Sequence, residues 1–130
     1  QLLAAEATYG LDDLKYKKAL EECRRLSRRE GIDAALSDYS CCALVAPTSS
    51  TPWAIDLING DHGLGGSSCL AAVSGYPTVT LPMGYIAGLP VGLSFIGKAW
   101  EDLSVINLAY AFEQASLVRY PPGGPAYFLQ

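Results

Sequence analysis

The chain has 130 residues, half of them hydrophobic, only 17% charged, and a net charge of −4. With no basic patch beyond one helix face, nucleic acid is excluded as a partner, and with no apolar run near the ~20 residues of a membrane span, so is a membrane. The N-terminus lacks a basic region followed by an apolar run, so no signal peptide is read and a cytoplasmic location is the expectation.

So apolar a composition in so short a chain suits either a tightly cored α/β domain or a piece of a larger protein whose faces await absent neighbours. Opening on Gln1 rather than Met leans toward the piece.

Residues 11–30 read as an amphipathic helix. Tyr16, Ala19, Leu20, Cys23 and Leu26 recur at three- and four-residue steps as an apolar stripe. Asp12 and Asp13 open this helix, Arg28 and Arg29 close it, and Gly31 is expected to end it in a left-handed cap. A short continuous apolar run, Ala43–Ala46, then predicts a strand covered on both faces and stopped by Pro47.

The loop from Pro47 to Gly66 is long for a compact domain, and loops of that length are often functional. Ser67 or Ser68 is expected to cap a helix over Cys69–Ser74. Strands follow at Thr78–Leu81 and Val91–Ile96, with a connection able either to close an antiparallel hairpin or to cross over. The last helix, about Glu101–Leu117, is apolar around most of its circumference. Such a helix is expected to be buried, and Pro121 and Pro122 prevent its continuation.

Cys23, Cys41, Cys42 and Cys69 fit neither a zinc site nor a C-x-x-C pair, and are expected as small buried apolar residues in a reducing compartment. With one histidine, His62, and only a few acids near it, no metal site is assembled, and no cofactor is called for. The glycine- and serine-rich stretch Gly63–Ser68 lacks the lysine of a phosphate-binding loop and the last glycine of a hydrolase elbow. Its glycines serve a tight turn and its serines a helix cap. A self-contained hydrolase using Ser67, His62 and Asp61 is therefore the weakest reading, because a serine needs a base placed beside it.

Three separated stretches carry a resemblance. They are Leu44–Thr48 (LVAPT), Gly75–Gly84 (GYPTVTLPMG) and Gly88–Gly97 (GLPVGLSFIG), followed by the A-x-x-F-E-Q helix at Ala109–Gln114. In order and spacing the chain resembles the C-terminal portion of an amidase signature family enzyme, from about Tyr16 to Pro122. Ala72 departs from the pattern, standing where many members carry asparagine.

The resemblance implies an α/β fold, with this chain forming a partial mixed sheet and flanking helices. It also implies amide hydrolysis by a serine nucleophile, a second serine on a cis peptide and a lysine base. Those three residues belong to the N-terminal and central parts of such enzymes and have no counterpart here, so no catalytic residue is assigned. The partners expected are the remainder of the amidase domain and, in the full-length enzyme, a small amide substrate; a homo-oligomer is also considered. If the long loop flanks the substrate, its pocket residues are Trp53, Asn59, Asp61 and His62. The alternative is a non-catalytic scaffold or interaction module that docks a partner through its apolar faces.

Overall fold

The computed structural model describes residues 1–121. A short α1 (Leu2–Glu6) precedes α2 (Leu14–Arg24). The start of α2 follows from Asp13, whose carboxylate accepts the backbone N–H of Lys15 at 2.6 Å and of Tyr16 at 3.3 Å. This satisfies donors that the first turn leaves orphaned.

The helix does not stop at Gly31. Arg25–Ile32 winds as a π-helical segment, and α3 (Asp33–Asp38) continues it. Gly31 is no left-handed cap: a Cβ there would stand 2.5 Å from the Leu26 carbonyl oxygen, so the widened turn needs its bare Cα. Widening also brings residues five apart together, and Arg25 pairs with Glu30 on the surface. The expected stripe fails for two reasons. Tyr16 and Cys23 stand on α2 ahead of the π-turns and meet water because no described element covers that face. Past them the widened turns shift the phase, so Leu26 is exposed while Ile32 and Leu36 are buried.

Three strands form one antiparallel sheet: β1 (Leu44–Pro47), β2 (Thr78–Ile86) and β3 (Leu89–Ile96), ordered β1-β3-β2. Of the two connections left open, β2 and β3 form the hairpin, with strands longer than expected. Its two-residue turn, Ala87-Gly88, has φ of 51° and 76°, the left-handed pair that matches strand twist. Pro82 is tolerated inside β2 because β2 is an edge strand and the register shifts between Pro82 and Gly84.

The sheet has two differently covered faces. On one, Val79, Leu81, Leu93 and Phe95 pack on Val105, Leu108, Ala109 and Phe112 of α5 (Asp102–Ser116). On the other, Ile96 and Leu44 meet Ile32, Leu36 and Tyr76 from the long helix and the Gly75-Tyr76-Pro77 turn. That turn follows α4 (Ser68–Ser74), which Gly75 ends at φ 71°.

Three further expectations, on the burial of β1, of α5 and of the cysteines, need correction. β1 is not covered on both faces, since Val45 is 58% exposed. In α5 only Val105 and Ala109 are buried, because no element of this chain among the described residues covers its outer side. The extent of α5 agrees with expectation to a residue at each end: it stops at Ser116, with Leu117 left-handed at φ 48°, and does not reach Pro121; Pro122 lies outside the described residues. All four cysteines are exposed: Cys23 sits on uncovered α2, Cys41 and Cys42 on the turn before β1, and Cys69 on the outer side of α4.

Candidate functional site

The long loop leaves the sheet at Thr48 and returns at Ser67, and its base is pinned shut. Ser49 and Gly66 form a bridge. The Ser50 N–H donates to the Gly65 carbonyl at 3.0 Å and the Ser67 N–H to the Thr48 carbonyl at 3.1 Å.

Beneath this base runs a line of hydroxyls. Ser94 on β3 is 4% exposed. Its Oγ shares hydrogen bonds with Thr48 Oγ1 at 2.8 Å and with Thr80 Oγ1 on β2 at 2.9 Å. The Thr48 N–H donates to the Gly92 carbonyl at 2.8 Å. A buried hydroxyl must be partnered, and here the partnering welds the start of the loop to both hairpin strands. Gly92 makes room for it, because a Cβ would lie 2.7 Å from Thr48 Oγ1.

Within the loop, Asp56 organises the chain. Its carboxylate accepts the backbone N–H groups of Ile58 and Asn59, each at 2.9 Å, and the Asn59 side-chain amide at 2.9 Å. The bonds from Asn59 and Ile58 hold the Asp56 carboxyl below the usual carboxylate range. His62 Nε2 stands 3.9 Å from Asp56 Oδ2. Trp53 Nε1–H donates to Asp61 Oδ1 at 3.3 Å, and the indole rests against Gly63.

The four residues expected to line a substrate pocket therefore fall into two local pairings, Trp53 with Asp61 and Asn59 with His62 around Asp56. Asp56 is the residue missing from the expected set; its signal is the Asp-x-x-Asn spacing of an Asx turn. The loop's apolar side chains, Ile55, Leu57, Ile58 and Leu64, stand in water.

No acid–base pair among the described residues activates a serine here. Ser67 occupies the N-cap position of α4, yet its hydroxyl makes no capping bond and is buried without a partner among the described residues. Among those residues no hydrogen bond joins Ser67 or Ser68 to His62, and no three His, Cys, Asp or Glu side chains converge on a metal position.

A second polar cluster locks the helices to the sheet. Arg28 Nε donates to the Ser74 carbonyl at 2.6 Å, and its guanidinium lies 5.7 Å from the Tyr76 ring centroid. Tyr76 O–H donates to Asp33 Oδ2 at 2.8 Å. Burial first, and then the Asp33 carboxylate, push the Tyr76 phenol up from its ordinary value.

The fold built on these residues is shared with solved enzymes. It superposes with a TM-score of 0.84 on the native peptide amidase from Stenotrophomonas maltophilia, at 48% identity over 95% of this chain and 25% of that one. The chain matches the C-terminal part of an amidase signature enzyme. It is also 37% identical over 121 residues to a probable amidase of Arabidopsis thaliana, covering 92% of this chain and 20% of that protein. A glutamyl-tRNA(Gln) amidotransferase subunit of Exiguobacterium sibiricum is 31% identical over 112 residues, 82% of this chain and 22% of its own. No family model matches the chain. The chain thus spans about a fifth to a quarter of the length of these amidase relatives. LVAPT supplies β1 and the loop base, GYPTVTLPMG the turn and β2, and GLPVGLSFIG the β3 strand with Ser94.

Proposed function

We propose that this chain is the C-terminal structural part of an amide-hydrolysing enzyme, supplying hairpin, helices and pocket loop but not the catalytic serine, bridging serine and lysine. The observation that supports this most is the close structural match over a quarter of a peptide amidase; the Ser67 hydroxyl, without a hydrogen-bond partner among the described residues, agrees with it. In the complete enzyme the loop of residues 48–67 flanks a small amide substrate. Trp53 paired with Asp61, and Asn59 and His62 gathered around Asp56, face it there. The partner is the remainder of the amidase domain.

The same exposed apolar surface suits a scaffold that docks an unrelated protein, and turnover alone does not separate these two readings; the binding experiment below does. Against the self-contained hydrolase, the purified chain is expected to give no release of product from aryl or aliphatic amides. Robust turnover that disappears in Ser67→Ala overturns the proposal.

A further inference from the structure

Helix α5 carries two apolar stripes and uses one. Val105, Leu108, Ala109 and Phe112 face the sheet. Leu103, Ile106 and Tyr110 lie within about 60° of one another on a helical projection of 100° per residue. They are 70, 52 and 61% exposed. A surface helix needs one stripe; a second belongs against a second layer.

The sheet is unfinished on the same side. Val45 stands opposite Phe95 in register, so both project toward the side that α5 occupies. Helix α5 packs mainly on β2 and β3, and Val45 of β1 stays 58% exposed. The uncovered strand and the unused stripe therefore belong to one side of the molecule.

We propose that this side, Val45 with Leu103, Ile106 and Tyr110 of α5, seats an apolar helix from the upstream remainder of the same amidase domain. The inference rests on the function proposed above and names the surface through which that remainder docks. Length argues for this occupant: the chain superposes on only 25% of the peptide amidase, and the other three-quarters of a single folded chain must lie against it. The stripe's chemistry agrees. Leu103, Ile106, Tyr110 and Val45 bear no charge, so they select an apolar partner rather than an acidic or basic one.

The test co-produces the 130-residue chain with the upstream three-quarters of the Stenotrophomonas maltophilia peptide amidase, followed by affinity capture and sedimentation. A one-to-one complex is expected. The double variant Ile106→Asp/Tyr110→Asp should weaken it at least tenfold, and Lys18→Gln on α2 should leave it unchanged. Both altered side chains are exposed, and circular dichroism checks that the variant keeps its helices; Leu103→Lys gives a second, single-site reading.

A complex that Ile106→Asp/Tyr110→Asp and Leu103→Lys leave intact overturns the docking surface while the proposed function stands. No complex, with the chain a stable monomer, overturns both. A symmetric dimer of the chain that the double variant dissolves, with no heterologous complex, makes a second copy the occupant and overturns the inference.

Discussion

Ser94 decides how the candidate site is held. One buried hydroxyl joins Thr48, where the loop departs, to Thr80 on the far strand. Ser94→Ala removes both bonds and leaves the half-buried Thr48 hydroxyl without its partner, while exposed Thr80 turns to water; this should cost about 1 kcal/mol in urea unfolding, with the loop cut faster by protease. Tyr76 matters in the same way at the helix–sheet junction. Tyr76→Phe should cost about 1.5–3 kcal/mol, since its lost partner is a carboxylate. The phenol's folded pKa lies above its ordinary value. Its stabilising contribution is therefore complete below the unfolded tyrosine value and is lost as pH rises through the folded one. An alkaline unfolding transition that shifts in Tyr76→Phe checks this. These residues sit in stretches whose resemblance is plain in the sequence. Their joint action is not, because the 46-residue separation of Thr48 from Ser94, or of Arg28 from Ser74, becomes contact only through strand register and helix packing.

At the level of elements, periodicity serves where one geometry persists and fails where it changes. The hairpin, β1, α4 and α5 stand within a few residues of expectation, since turn residues and apolar runs mark them locally. The long helix departs from expectation because Gly31 has two uses, ending a helix or admitting a wide turn, and only packing chooses between them. The hairpin turn leaves room for improvement: Ala87 is a non-glycine residue at φ 51°. Ala87→Asn, giving the Asn-Gly pair favoured there, should raise stability by about 0.5–1 kcal/mol in thermal unfolding. The loop should respond to acid. Asp56 is held below the ordinary carboxylate range by the bonds it accepts, so its folding contribution is full above the unfolded value and fades as pH falls through the folded one. Carboxyl NMR titration should place Asp56 below a free aspartate; a normal titration contradicts the Asx-turn description.

As a whole molecule the chain leaves much apolar surface uncovered. Its accessible surface is 9952 Å², whereas a compact monomer of 13.8 kDa shows about 6,600 Å². Burying one leucine- or phenylalanine-sized side chain is worth ~1.5–3 kcal/mol, so a few unburied ones rival a domain's net stability of ~5–15 kcal/mol. Alone, the chain should associate or precipitate at micromolar concentration, and a sharp, reversible, concentration-independent melt contradicts that. Uncovered faces also account for the misplaced burials: Val45, the cysteines and the outer side of α5 have the composition of an interior, and no described element of this chain reaches over them. The most direct measurement is amide hydrolysis by a chimera in which this chain replaces the matching quarter of the Stenotrophomonas maltophilia peptide amidase. A folded chimera that hydrolyses a peptide amide is expected, while a folded chimera without turnover, or activity in the chain by itself, would contradict a C-terminal structural role.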